Sequence, residues 1–162
     1  MALFPDELGA RSAEERLNPM NARFDANRFV RAQAGIYQRA LDELRAGSKT
    51  THWMWFVFPQ VLGLGRSANA RLYALEGMEE ARAYAAHDLL GPRLLECTDA
   101  MLGWAGKKSA LDILGVIDAM KFHSSMTLFE EACPEEQRFA DALEAFHNGK
   151  RDQATLDRLV ES

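Results

Sequence analysis

The sequence predicts an all-α fold: one domain over residues 24–162, built from about eight helices, several of them short, behind an N-terminal tail, residues 1–23. Three observations carry that expectation. Apolar side chains recur at three- and four-residue spacing through most of the chain, the period of a helix with one buried face. Residues that start and stop helices stand at the ends of those segments, among them Asp25, Ser67, Ser109, Asp118 and Asp152 as caps and Gly47 and Gly115 as stops. Finally, the run rich in aromatic and β-branched residues, 53–58, has no second strand-like run to pair with.

Taken in order, residues 1–23 show no sustained period and are punctuated by Pro5, Gly9 and Pro19. Asp25 opens a long amphipathic helix in which Phe29, Val30, Gln33, Ile36, Tyr37, Ala40, Leu41 and Leu44 share a face, with Gly47 beyond it. Thr50 or Thr51 is placed to cap the apolar run, which reads as helix and which Pro59 closes. Ser67 caps a short helix to about Leu75, and Gly77 separates it from the next, which runs through Tyr84. Pro92 suits the first turn of a helix carrying Leu94, Leu95, Met101 and Trp104. Gly103, Gly106 and the Lys107-Lys108 pair form a loop, and Ser109 starts a short apolar helix ending at Gly115. Asp118 opens a helix to Cys133, Pro134 another to Phe146, and Asp152 a last one containing Leu156, Leu159 and Val160.

Composition narrows the function classes. The 162 residues, 48% of them hydrophobic, suffice for one substantial core, burying roughly 70% of the unfolded surface. A net charge of −5 argues against broad electrostatic binding to nucleic acid or to an anionic membrane. No apolar run approaches the ~20 residues of a membrane span, and the N-terminus lacks the basic and apolar regions of a secretory signal. Cys97 and Cys133 read as reduced core thiols of a cytoplasmic protein; disulfide, metal and nucleophile roles are the alternatives. The four histidines show no metal-ligand spacing, so no metal site is predicted, and no cofactor is implied.

The candidate site centres on His52-Trp-Met-Trp-Phe-Val-Phe-Pro-Gln60, followed by Gly63-Leu-Gly-Arg-Ser67. Six consecutive apolar side chains are buried on nearly every side, so His52 and Gln60 at the margins must find partners or line a pocket. Trp53 and Trp55 are each able to stack on a base or sugar, but side chains two apart on a helix point about 200° apart, so at most one faces a given pocket. The glycine-rich turn, with Arg66, Ser67 and Arg71, is a weak phosphate cradle without the Walker or dinucleotide pattern. On the helix after Asp118, Phe122, Met126, Phe129 and Cys133 form the apolar stripe, and Asp118, Lys121 and Ser125 lie along its margin. Such a trio suits a general base, an anion-holding ammonium and a hydroxyl. It equally suits an N-cap, a lysine lying along the surface and a serine bonded back to the backbone.

Together with Arg28-Phe-Val-Arg-Ala-Gln33, Leu90-Gly-Pro-Arg-Leu-Leu-Glu-Cys97 and Asp118-Ala-Met-Lys-Phe-His-Ser-Ser-Met-Thr-Leu-Phe129, these segments resemble an uncharacterised, mainly helical bacterial family over residues 25–160. That family is sometimes mislabelled calpastatin, a name implying a disordered inhibitor that this aromatic-bearing sequence contradicts. The order of segments is also similar to the NADAR superfamily, helical proteins linked to ADP-ribose and N-glycoside hydrolysis. NADAR proteins carry an acidic residue in the aromatic-rich helix, whereas His52 and Gln60 occupy the margins here and no carboxylate lies between them.

Two functions are therefore expected, ahead of a third, nucleic-acid binding through Arg66, Arg71 and nearby bases. In the first, the protein binds or hydrolyses a nucleotide- or ADP-ribose-type ligand. Asp118 activates water, His52 and Gln60 orient the ligand, one of Trp53 and Trp55 stacks on it, and Arg66, Ser67, Arg71, Lys121 and Ser125 bind it. In the second, the same domain is a non-enzymatic module that binds a partner protein. A deep polar-edged cleft distinguishes the first and a flat apolar patch the second.

Overall fold

The computed structural model describes residues 24–161; the expected tail, residues 1–23, lies outside them. Ten helices occur among the described residues, where the pattern predicts about eight. Part of the excess comes at the N-terminal end. The single helix expected after Asp25 is two: α1, Asn27–Gln33, and α2, Tyr37–Ala46. Between them Ala34 turns extended and Gly35 takes φ +76°, a left-handed conformation that glycine adopts without steric cost. Ala34 and Gly35 are exposed, so the apolar period passes over the break undisturbed. α2 ends at Gly47 in the left-handed conformation, as its sequence implies.

The aromatic run also departs from the expected single helix. Only α3, Met54–Val57, is helical. After Pro59 the chain is extended, and Val61 makes an isolated parallel bridge with Leu75. The Leu75 amide donates to the Gln60 carbonyl at 2.9 Å, and the Leu62 amide donates to the Leu75 carbonyl at 2.7 Å. A segment one residue pair long needed no strand signature, and its partner lies beyond the glycine-rich loop. Thr50 and Thr51 do not cap α3. Their amides, at 2.8 and 3.1 Å, and the Thr51 hydroxyl, at 2.6 Å, donate to the Glu43 carboxylate at the end of α2.

α4, Ala68–Leu72, is capped by Ser67, whose Oγ accepts from the Ala70 amide at 3.0 Å. It stops short of the expected Leu75 because Leu75 is drawn into the bridge. α5, Met78–Ala86, and α6, Leu90–Leu102, pack against one another. Their contact is close at Gly91, where a Cβ would fall 2.2 Å from the Ala85 carbonyl oxygen. α7, Ala110–Leu114, is capped by Ser109 and closed by Gly115 as predicted. α8 spans Val116–Ala132, α9 Gln137–His147 and α10 Gln153–Glu161. Asp118 is thus not the N-cap of α8 but lies inside its first turn.

α8 runs through the middle, touching α5, α7, α9 and α10. Its predicted stripe of Phe122, Met126, Phe129 and Cys133 is buried. Phe122 meets Phe58 edge-on at 5.0 Å, and Phe129 packs on Tyr84 and Phe139. Rings of this size stabilise by roughly 1.5–3 kcal/mol each when fully buried. Residues 124–129 of the helix are buried all round, so Ser124, Ser125 and Thr127 are buried with the stripe. Among α1, α3, α5 and α6, buried Gln33 is the polar link. It donates to the Phe56 carbonyl at 2.7 Å and to the Tyr84 hydroxyl at 3.2 Å, and accepts from Arg93 at 3.1 Å. Cys97 and Cys133 are buried free thiols; burial pushes Cys97 up to about 12. No helix among the described residues is long and apolar enough to cross a membrane.

Candidate functional site

Two clefts meet where α3 faces the first turns of α8. One, of about 390 Å³, is lined by Lys49, His52, Trp55, Asp118 and Lys121. The other, of about 520 Å³, holds Trp55, Gln60, Arg66, Lys121, Ser124 and Asp152. Trp55, Ile117 and Lys121 belong to both and form the wall between them. The clefts therefore bring together His52, Trp55, Gln60, Arg66, Ser67, Asp118 and Lys121 of the residues singled out in the sequence.

The two tryptophans separate as helix geometry requires. Trp53 is fully buried, and its indole N–H donates to Glu43 at 3.0 Å. It is a core residue and lines neither cleft. Trp55 is half-buried on the cleft wall, with the Lys121 ammonium 4.3 Å from its ring centre. Ser125 is likewise fully buried in α8 and lines neither cleft, and its Oγ has no hydrogen-bond partner among the described residues. Arg71 is exposed on α4 and lines neither cleft.

Asp118 and Lys121 sit one turn apart on α8, 3.4 Å from each other. The other Asp118 oxygen is 2.8 Å from Lys49. Lys49 enters from the loop after α2, held by its amide on the Ile113 carbonyl at 2.8 Å. Its ammonium also donates to the Thr51 carbonyl at 2.6 Å and lies 4.9 Å from the Trp53 ring centre. Two ammonium groups thus share one carboxylate, leaving a positive charge in excess beside Trp55. Lys49 is only 6% exposed. Next to two threonines it looks like any surface lysine, and only the packing of α3 and α8 around it shows otherwise.

In the second cleft the glycine-rich loop is built for packing. Gly63 has φ +103°, and a Cβ there would lie 2.4 Å from the Arg158 guanidinium, whose Nε donates to the Leu62 carbonyl at 3.1 Å. The Ser67 oxygen is occupied as the cap of α4. Arg66 is exposed at the cleft and no ion pair holds it among the described residues. Asp152 contributes a carboxylate whose Oδ2 accepts from the Ser124 and Thr155 hydroxyls at 2.8 and 2.6 Å. The sequence marks Asp152 only as a helix cap, because the cleft it borders closes from loops remote in the chain.

Apolar side chains border the mouth. Leu111, Val116, Ile117 and Met120 are between 52% and 68% exposed around the start of α8. Away from the clefts, His123 and His147 stack at 4.1 Å, and burial, with His123 beside it, lowers His147 to about 4. Among the described residues no cluster of three His, Cys, Asp or Glu side chains is placed to hold a metal ion.

Comparison with known proteins gives the family but no activity. The fold is similar to the crystal structure of the conserved hypothetical protein Rv1873 from Mycobacterium tuberculosis, with 47% sequence identity and a TM-score of 0.82. The match covers 85% of this chain and 97% of that one. No curated protein matches the chain. Neither the family nor the solved structure carries a NADAR or calpastatin description. With the family model matching residues 23–159, the chain belongs to the family described as "Protein of unknown function (DUF1810)".

Proposed function

We propose that the protein binds a nucleotide- or ADP-ribose-type small molecule across the wall formed by Trp55 and Lys121. The observation that carries this reading is the excess cation beside an accessible indole: Lys49 and Lys121 share the one carboxylate of Asp118 next to Trp55. An aromatic face stabilises a stacked base by roughly 1–3 kcal/mol. Ammonium and guanidinium groups, from Lys121 and Arg66, match phosphate oxygens. His52 and Gln60 border opposite clefts, where they orient the ligand. Hydrolysis by Asp118 is the less favoured form of this reading. Both of its oxygens are already engaged, Oδ2 by Lys49 at 2.8 Å and Oδ1 by Lys121 at 3.4 Å, so neither is left over to orient a water.

A thermal-shift titration with ADP-ribose, NAD and AMP tests it. At a hundred times Kd a ligand of the folded state raises Tm by about 5–10 °C in a domain of this size. Trp55→Ala and Lys121→Gln, both at half-buried positions, should fold and lose the shift. Absence of any shift in the wild type at millimolar ligand overturns the reading.

A second reading, a module that binds a partner protein, is favoured by the exposed Val116, Ile117 and Met120 on the cleft walls, with Leu111 exposed on α7.

A further inference from the structure

We infer that Asp152, with Gln60, forms a subsite in the second cleft that recognises the hydroxyl groups of a ribose. This rests on the proposed binding of a nucleotide-type ligand and names the part of it that each cleft wall meets.

Asp152 differs from Asp118 in every respect that matters for binding. No cation pairs with it among the described residues, and its carboxylate receives only hydroxyl hydrogens, from Ser124 at 2.8 Å and Thr155 at 2.6 Å. Both go to Oδ2. Oδ1 accepts nothing from the described residues. The backbone is held as well, since the Asp152 amide donates to the Thr127 Oγ at 2.9 Å. A carboxylate fixed by two hydroxyls, on a backbone held by a third, with an oxygen left over, is a preorganised acceptor. Ser124, which holds it, borders the same cleft, and so does Gln60, whose carboxamide has no side-chain partner among the described residues.

The chemistry selects the ligand group. An ionised carboxylate only accepts hydrogen bonds and repels phosphate, whereas a ribose offers adjacent hydroxyl donors. The carboxamide supplies a donor and an acceptor for the same sugar. Arg66, which no ion pair holds among the described residues, is the group for the phosphate, and Trp55 offers the apolar face. A carboxylate, a carboxamide, a guanidinium and an indole around one cleft match a ribose phosphate better than a free anion, for which Asp152 is misplaced.

The test is a comparison of three probes on the full chain by calorimetric titration: AMP, 2′,3′-dideoxy-AMP and inorganic phosphate. The wild type should prefer AMP to the dideoxy compound by about tenfold, the strength of a hydrogen bond to a charged group. Asp152→Asn should abolish that preference while leaving phosphate binding unchanged or tighter, because a negative charge is removed. Melting without ligand shows whether the variant is folded. If it is not, Ser124→Ala decides: it frees the carboxylate to turn and should reduce the preference. Equal binding of AMP and the dideoxy compound by the wild type, or an undiminished preference in a folded Asp152→Asn or in Ser124→Ala, overturns the subsite and leaves the Trp55 reading standing. No binding of AMP to the wild type overturns both.

Discussion

Asp118 shows how one side chain changes meaning once its neighbours are known. In the sequence it is a helix cap or a general base; in the fold it neutralises Lys49, whose side chain is 6% exposed and which pairs with no other carboxylate among the described residues. Removing it leaves an ammonium group enclosed by Thr51 and the Trp53 ring. Asp118→Ala is therefore expected to cost about 2 kcal/mol, or roughly 4–8 °C of Tm, measured by thermal melting. A variant as stable as the wild type rejects the structural role. Trp53 and Trp55 teach the same lesson. The helical angle between alternate residues tells that they part, but the indole N–H bond to Glu43 is what assigns Trp53 to the core.

Among elements, the join between α2 and α3 is held by Glu43. Burial pushes its carboxyl up, but hydrogen bonds from Thr51, Thr50 and Trp53 outweigh that and hold it at about 2. A folded value below the unfolded one, near 4.3 for glutamate, means stability present above that unfolded value and lost as pH falls toward about 2. Urea midpoints should decline from pH 5 to pH 2, and less steeply in Glu43→Gln. Equal slopes in the two proteins remove Glu43 from the acid response. The capping serines, Ser67 and Ser109, and the stop at Gly47 were readable because a cap acts on its own turn. The break at Gly35 was not, because its exposed residues leave the apolar period intact. The Val61–Leu75 bridge was not, because a single pair has no repeating pattern.

For the molecule as a whole, the apolar rim at the start of α8 bears on the choice between ligand cleft and interaction module. If the rim is an interface between copies, the apparent mass by light scattering rises above 18.2 kDa with concentration. Ile117→Ser combined with Met120→Ser should return it to the monomer. A wild type that stays at the monomer mass at every concentration counts against self-association through this face.

The sequence by itself determined the all-helical class, the caps at Ser67 and Ser109, the stops at Gly47 and Gly115, and the stripe of α8 that faces the core. Periodicity and capping work over a few residues, so they are written locally. Only the tertiary structure decided that Lys49 joins Asp118, that Asp152 borders the cleft of Gln60 and Arg66, and that Ser125 and Trp53 do not. Those contacts depend on how α3, α8, α10 and the loops between them pack. Burial, which turns a surface lysine into a held charge and a cap into a candidate acceptor, belongs to the packed molecule and to no single segment of its chain.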